Sequence, residues 1–315
     1  MARLLVTGAN GFVGRILCEF VAERKQVISP VVRGGSEPIG GAAPCVVGCI
    51  GANTDWSSAL DGVSHIVHLA SRVHVMRESG RDIDALYRET NTVGTLRLAQ
   101  QAAEAGVKRF VFLSSVKVNG EERDEAYSED DRPAPTGPYA TSKRDAELGL
   151  WEIAERSGME VVVIRPPLVY GPGVKANFLS MMRWLHRGVP MPFGAISNRR
   201  SLVSIGNLVD FIVTCIDHPA AANETFLVSD GEDLSTTGLL VRLAAALEVK
   251  ARLIDVPVTV LKMGAMVLGQ GEMLRRLCGS LCVDARKANR LLGWSAPLSV
   301  DDGLKATADH FHATR

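Results

Sequence analysis

The 315-residue chain predicts an α/β fold: a doubly wound parallel sheet followed by a smaller C-terminal lobe. Three observations predict it. Apolar, strand-like runs alternate with helix-like segments through the first half of the chain. A glycine-rich turn joins the first strand to the first helix. After Arg165-Pro166-Pro167 the rhythm changes to shorter elements separated by Pro and Gly. Near-continuous apolar strands are buried on both faces, as in parallel sheets covered by crossover helices.

The elements follow in order. Leu4-Leu5-Val6 is the first strand. Phe12, Val13, Ile16, Leu17, Phe20 and Val21 then repeat with the period of one helix face. Residues 27–32 read as a second strand, Cys45-Val46-Val47 as a third and His65-Ile66-Val67-His68-Leu69-Ala70 as a fourth. A long helix over 82–105 stops at Gly106, and Phe110-Val111-Phe112-Leu113 makes a fifth strand. A helix over 139–156 stops at Gly158, before a sixth strand over 160–164. Helices near 177–187, 206–217, 235–247, 258–277 and 301–312 complete the chain.

Lys plus Arg and Asp plus Glu are 35 each, so the net charge is zero, which argues against a dedicated nucleic-acid binder but leaves room for a local basic pocket. A hydrophobic content of 46% excludes an intrinsically disordered chain. The longest apolar run, residues 256–268, is broken by Pro257 and Lys262 and falls short of the ~18 uncharged residues of a membrane span. The N-terminal segment lacks the apolar core of a signal peptide. The expectation is a cytoplasmic protein with reduced cysteines. Cys45/Cys49 and Cys278/Cys282, each pair four apart without a nearby His, read as packing residues, and no metal site is expected.

Chemistry begins at Thr7-Gly8-Ala9-Asn10-Gly11-Phe12-Val13-Gly14. Gly8 permits a tight turn with positive φ, Gly11 lets backbone amides approach a pyrophosphate, and Gly14 lets the helix sit close to the sheet. The helix start offers free amides and the positive end of a dipole. Gly8, Asn10, Gly11, Phe12, Val13 and Gly14 are therefore candidate cofactor contacts. Residues 1–170 are expected to form a Rossmann-type NAD(P)-binding domain and residues 171–315 a substrate-binding lobe, with some of its segments returning to the main sheet. No carboxylate ends the second strand. Val31-Val32-Arg33 instead presents Arg33, suited to a 2′-phosphate, which favours NADP(H) and leaves NAD(H) open.

Tyr139-Ala140-Thr141-Ser142-Lys143 places Tyr and Lys on one face at a helix start. A phenol of pKa ~10 can donate a proton to a forming alkoxide and recover it in reverse. A neighbouring ammonium stabilises the phenolate. Tyr139 and Lys143 are thus candidate catalytic residues.

The Gly-x-x-Gly-x-x-Gly spacing resembles the extended branch of the short-chain dehydrogenase/reductases, the NAD-dependent epimerase/dehydratase family, and the resemblance runs through essentially the whole chain. It implies a catalytic Ser115 in Leu113-Ser114-Ser115-Val116-Lys117-Val118-Asn119-Gly120, bonded to the reacting oxygen. It gives Lys143 a second role on the nicotinamide ribose, places Leu69, Ala70 and Pro166 beside the cofactor, and assigns Asn91 to the cofactor site, positioning its backbone. Asn119 stands where relatives carry Tyr, and Gly48-Cys49 where they often carry Gly-Asp. The Asp-Glu of the 4,6-dehydratases is replaced by Val116-Lys117, which argues against elimination of water.

In the second half, Arg165-Pro166-Pro167-Leu168-Val169-Tyr170-Gly171-Pro172-Gly173 is similar to the family's Arg-Pro-x-x-Val-Tyr-Gly-Pro-Gly. The resemblance makes Asn177, Arg200 and one of Arg275 or Arg276 candidate contacts to a sugar diphosphate, with Lys117 a further substrate candidate. Within the family, residues 114–120 and 200–210 are most similar to bacterial surface-polysaccharide enzymes, and the resemblance carries a functional expectation. It implies a nucleotide-sugar substrate and reduction of a UDP-4-keto-6-deoxy-hexosamine at C4 in O-antigen or lipopolysaccharide biosynthesis. The alternative is a UDP-sugar 4-epimerase with a retained NAD. It also implies a homodimer through helices 82–105 and 139–156. Segment 258–277 reads as a packed helix. Its other reading is a Leu261/Met266/Leu268 face beside Lys262, Arg275 and Arg276 resting on an acidic bilayer.

Overall fold

The structure, a computed structural model, describes residues 3–73, 82–267, 269 and 271–314. The chain opens with β1 (Arg3–Thr7), α1 (Phe12–Glu23), β2 (Val27–Val32), β3 (Cys45–Val46), α2 (Ser57–Leu60) and β4 (Val63–His68). Leu17 and Val21 of the predicted α1 face are buried, but the face is rotated toward Gly14 and Cys18, and Phe12, Val13, Ile16 and Phe20 are half-buried along its edge.

The single helix expected over 82–105 is divided. α3 (Ile83–Tyr87) runs through a widened π-helical turn, Arg88–Val93, into α4 (Gly94–Glu104). One extra residue in a turn leaves the apolar spacing on either side readable, so periodicity does not reveal it. The turn buries Asn91 and Thr92. β5 (Arg109–Leu113), α5 (Gly137–Ser157) and β6 (Glu160–Arg165) follow, and α5 ends at Gly158 with φ 75°, a left-handed cap that glycine adopts without strain.

Beyond residue 166 the chain forms β7 (Leu168–Tyr170), α6 (Ala176–His186), β8 (Arg200–Ser204), α7 (Ile205–Asp217), β9 (Glu224–Leu227), β10 (Asp233–Leu234) and α8 (Thr236–Ala246). α9 (Val258–Val267), α10 (Gly271–Cys278), α11 (Arg286–Leu292) and α12 (Val300–Ala313) end it. Seven strands form a parallel sheet in the order β3-β2-β1-β4-β5-β6-β9, and β10-β8-β7 form a smaller one. β9 thus brings chain from the second half back to the main sheet.

Alternating side chains of each strand feed opposite cores. Leu5, Ile66, Phe110, Phe112 and Val163 pack with α4 and α5. Leu4, Val6, Val67, Val111 and Ile164 pack with α1 and α7. A third core joins Phe178, Met182, Leu240, Leu243 and Leu304. The carboxyl ends of β1, β4, β5 and β6 therefore meet at one edge, where doubly wound folds bind ligands.

The expectation of one packed helix over 258–277 is corrected. It is two helices, and α9 buries none of its described side chains; Val260, Met263 and Met266 are exposed. The reason is its setting: α9 rests mainly on α10 rather than on a core, whereas Leu274 of α10 is buried. Leu268 lies outside the described residues. Among the described residues no helix is long and apolar enough to cross a membrane, and no group of three or more His, Cys, Asp or Glu could hold a metal ion.

Candidate active site

The glycine turn is a cradle shaped by what it excludes. Gly8 has φ 65°, and a Cβ there would lie 2.9 Å from the Ala70 amide nitrogen. A Cβ at Gly14 would collide with the Gly8 carbonyl oxygen and with Ala9. The Gly11 amide donates to the Gly8 carbonyl (2.8 Å), closing the turn. No side chain caps α1 and no acid stands in its first turn, so its free amides suit an anion. Asn10 and Gly11 are exposed, with Phe12 and Val13 half-buried beside them. Arg33 is exposed directly after β2, next to the cradle, since the Val31 carbonyl accepts the Ala9 amide at 3.2 Å. These residues fit a dinucleotide. Gly14→Ala is expected to lower stability by about 1–3 kcal/mol, as overpacking does, and to weaken dinucleotide binding. Thermal melting and a dinucleotide titration check it.

A buried chain of polar groups, not anticipated from the residues, holds the strap after β4. Thr95 Oγ1 donates to the Asn91 carbonyl (2.7 Å), so it accepts from His68 Nε2 (2.9 Å). His68 Nδ1 then accepts from Thr7 Oγ1 (2.7 Å), which itself accepts the amides of Leu69 and Ala70, both at 3.1 Å. Burial pulls His68 down to about 3, so it stays neutral. Leu69 and Ala70 are thereby fixed over Gly8. Asn91 is fully engaged by protein: Oδ1 accepts from the Arg72 amide (2.7 Å) and Ser71 Oγ (3.1 Å), and Nδ2 donates to the Arg72 carbonyl and Ser142 Oγ, both at 3.1 Å. Its contribution is to tie this strap to α5. A buried His ending a strand was the one signal that could have revealed the arrangement.

Tyr139 and Lys143 stand one turn apart at the start of α5, where Gly137 (φ 80°) and Pro138 set the entry. Ser115, extended after β5, is a neighbour of Tyr139 that favours its ionised form, and its Oγ accepts the Lys117 amide at 3.3 Å. The Tyr87 ring meets the Tyr139 ring edge-on at 6.3 Å. Burial pushes the Tyr139 phenol up to about 12 while Ser115 pulls it down. Burial pulls Lys143 down to about 7, opposed by the charge of Glu147. Lys143 Nζ donates to the Leu113 carbonyl (2.8 Å) and lies 4.4 Å from the Phe112 ring centre. The ammonium is thus anchored at the strand end that carries Ser115. Pro166 is buried, and its carbonyl accepts the Val116 amide at 3.0 Å, joining β6 to the same corner.

Beneath this triad lies a buried ion pair. Arg165 donates to Glu147 through Nη2 (2.6 Å) and Nε (3.1 Å). Ser114 Oγ donates to the same carboxylate, and Arg165 Nη1 donates to Asn119 Oδ1 at 3.1 Å. Asn119, which stands where relatives carry Tyr, therefore braces the base of the site.

The arrangement combines a dinucleotide cradle with a Ser–Tyr–Lys acid–base set. The sequence profile of the NAD dependent epimerase/dehydratase family matches residues 4–229. The chain belongs to this family. It is 45% identical over 312 residues to a UDP-glucose 4-epimerase of Vibrio cholerae, covering 98% of this chain and 95% of that one. It is 26% identical to the N-acetyl-alpha-D-glucosaminyl-diphospho-ditrans,octacis-undecaprenol 4-epimerase of Escherichia coli O157:H7, over 98% of this chain and 94% of that one. A crystal structure of UDP-glucuronic acid 4-epimerase from Bacillus cereus in complex with NAD shares the fold, with a TM-score of 0.78, 21% identity and 99% coverage of both chains.

As an epimerase/dehydratase family member the protein is an NAD(P)-dependent enzyme of the short-chain dehydrogenase/reductase type, and its cofactor is a nicotinamide dinucleotide. Bound in the cradle, that group would supply the hydride acceptor and donor and, when oxidised, a positive charge. Gly8, Gly11 and the α1 amides would hold its diphosphate, and Lys143 would face its ribose.

Several candidate substrate cations meet at the loop that follows Ser115. Lys117 Nζ and Arg275 Nη2 both bind Glu121, at 2.8 and 2.9 Å. Arg200 Nη1 donates to the carbonyls of Arg276 (2.8 Å) and Gly279 (2.9 Å), so Arg200, Arg275 and Arg276 belong to one cluster. Glu121 was not anticipated. Asn177 stands exposed on the first turn of α6, and no hydrogen bond among the described residues joins it to that cluster. Val116 is buried and Lys117 is cationic, so neither of the two positions directly after Ser115 offers a carboxyl acid for elimination of water.

Proposed function

We propose that the protein is a nucleotide-sugar 4-epimerase acting on a UDP-hexose or UDP-hexosamine with a retained NAD. The observation that carries this reading is the 45% identity to a UDP-glucose 4-epimerase along 98% of the chain, with Ser115, Tyr139 and Lys143 assembled beside the cradle. Tyr139 takes the proton of the C4 hydroxyl as that carbon gives up a hydride. Ser115 donates to the C4 oxygen, and the Lys143 ammonium supports the phenolate. The 4-keto sugar then presents its other face, C4 regains the hydride on that face, and Tyr139 returns the proton to the oxygen. Epimerisation uses the same acid–base set in both directions, so no further catalytic group is required. A homodimer through α4 and α5 belongs to the same reading, and the exposed Leu148 on α5 supports it.

A second reading rests on Arg33: an NADPH-dependent 4-ketoreductase of a UDP-4-keto-6-deoxy-hexosamine. One experiment separates them. The purified protein is denatured, the released nucleotide is identified, and UDP-glucose and UDP-N-acetylglucosamine are incubated with the native protein without added cofactor. Stoichiometric NAD and C4 inversion are expected. An empty protein that oxidises NADPH with a 4-keto sugar would overturn the epimerase.

A further inference from the structure

We propose that Glu121 is a built-in counter-anion that occupies the diphosphate-binding cations in the ligand-free enzyme and is exchanged for the substrate's diphosphate on binding. This rests on the nucleotide-sugar reading above.

Glu121 divides its carboxylate between two elements. Oε1 accepts from Lys117, two residues past Ser115, and Oε2 accepts from Arg275 on α10. The Glu121 side chain is 15% exposed, while Lys117 and Arg275 are 28% and 49% exposed. The carboxylate therefore sits beneath cations that still face outward. Arg200 holds the end of α10 through two carbonyls; Lys117, Arg275 and Arg276 all act on the Glu121 carboxylate, while Arg200 is shared with the neighbouring Glu122. The cluster keeps the Glu121 carboxyl below its ordinary range despite partial burial.

The loop bearing Glu121 is fixed independently of that side chain. The Arg123 amide donates to the Ser280 carbonyl (3.1 Å), and Tyr127 exchanges backbone bonds with Cys282 (2.8 Å) and Asp284 (2.7 Å). Releasing Lys117 and Arg275 therefore requires rotation of one side chain rather than melting of a loop. Partly exposed ion pairs contribute little net stability, so the exchange is cheap. A diphosphate carries more charge and more acceptor oxygens than one carboxylate and replaces it on both cations. Glu121 remains nearby and opposes the new anion, which keeps a nucleotide from being held too tightly. Because the Lys117 amide donates to Ser115 Oγ, the exchange also takes place one short contact from the catalytic hydroxyl.

The test is calorimetric titration of the holoenzyme with UDP and with uridine, for the native chain, Glu121→Gln, Glu121→Asp and Arg275→Gln. The native chain should bind UDP more tightly than uridine, and Arg275→Gln should weaken UDP alone. Glu121→Gln should tighten UDP roughly 3–30-fold, the effect of removing one like charge from a partly screened site, and leave uridine unchanged. Glu121→Asp, which keeps the charge, should bind UDP like the native chain. Unchanged or weaker UDP binding in Glu121→Gln, with a normal response in Arg275→Gln, overturns the counter-anion and leaves the substrate reading standing. Equal affinity of the native chain for UDP and uridine overturns both.

Discussion

Tyr139→Phe is expected to lower kcat by about 10²–10⁴-fold, the loss that follows removal of a general acid–base. The reasoning is geometric first. The phenol neighbours Ser115 and stands a helical turn from Lys143, and the Tyr87 ring supports its flank. Phe fills nearly the same volume, so folding and dinucleotide binding should persist while the proton relay is lost. In the ligand-free site the phenol lies at about 12, so it is protonated at neutral pH and ready to donate. To act as a base it must lose that proton, which the Lys143 ammonium and an oxidised nicotinamide both favour. Native kcat should therefore rise with pH toward the phenol's ionisation, and the residual rate of the variant should lack that limb. The change should fall on kcat more than on KM. A pH series on both proteins, with circular dichroism to confirm folding, checks it; near-native turnover would remove Tyr139 from the mechanism.

What the residues disclosed in advance follows a physical division. Periodicity exposes elements that bury one face, so α1, α5, α7, α8 and α12 were legible, as were the buried central strands. The catalytic set was legible because its chemistry demands particular side chains at fixed spacing, Tyr139 to Lys143 above all. Features decided by tertiary contact were not. The π turn at Asn91 leaves the flanking pattern intact. The smaller sheet joins β7, β8 and β10, whose short strands carry little pattern of their own. Glu121 looked like any loop carboxylate, since only the fold brings Arg275 to it across 154 positions of chain. α9 misled for the opposite reason: its apolar composition says what could be buried, not whether a core lies within reach.

Glu147→Gln is the substitution expected to cost most stability. Glu147 and Arg165 have side chains only 4% and 7% exposed, and Gln would leave the guanidinium buried without its counter-charge. Breaking such a pair from one side costs about 3–5 kcal/mol. Urea unfolding should show this as a lower midpoint with an unchanged slope. A second consequence reaches the active site, because Glu147 is the charge that opposes the downward pull of burial on Lys143. Without it, Lys143 loses its proton at a still lower pH, and the part of the kcat profile that depends on the ammonium should shift in the acid direction. The double variant Glu147→Leu/Arg165→Met removes both charges and should recover much of the stability, since apolar replacement of a whole buried pair is often neutral. It should not recover turnover. Glu147 and Arg165 also hold Ser114 at the end of β5 and Asn119 in the following loop. An apolar pair can fill the space but bonds neither, and Ser115 lies between them in the chain. Full activity in the double variant would mean that packing alone positions Ser115; recovered stability with depressed kcat would mean that the ion pair is retained for the geometry of the site it underlies.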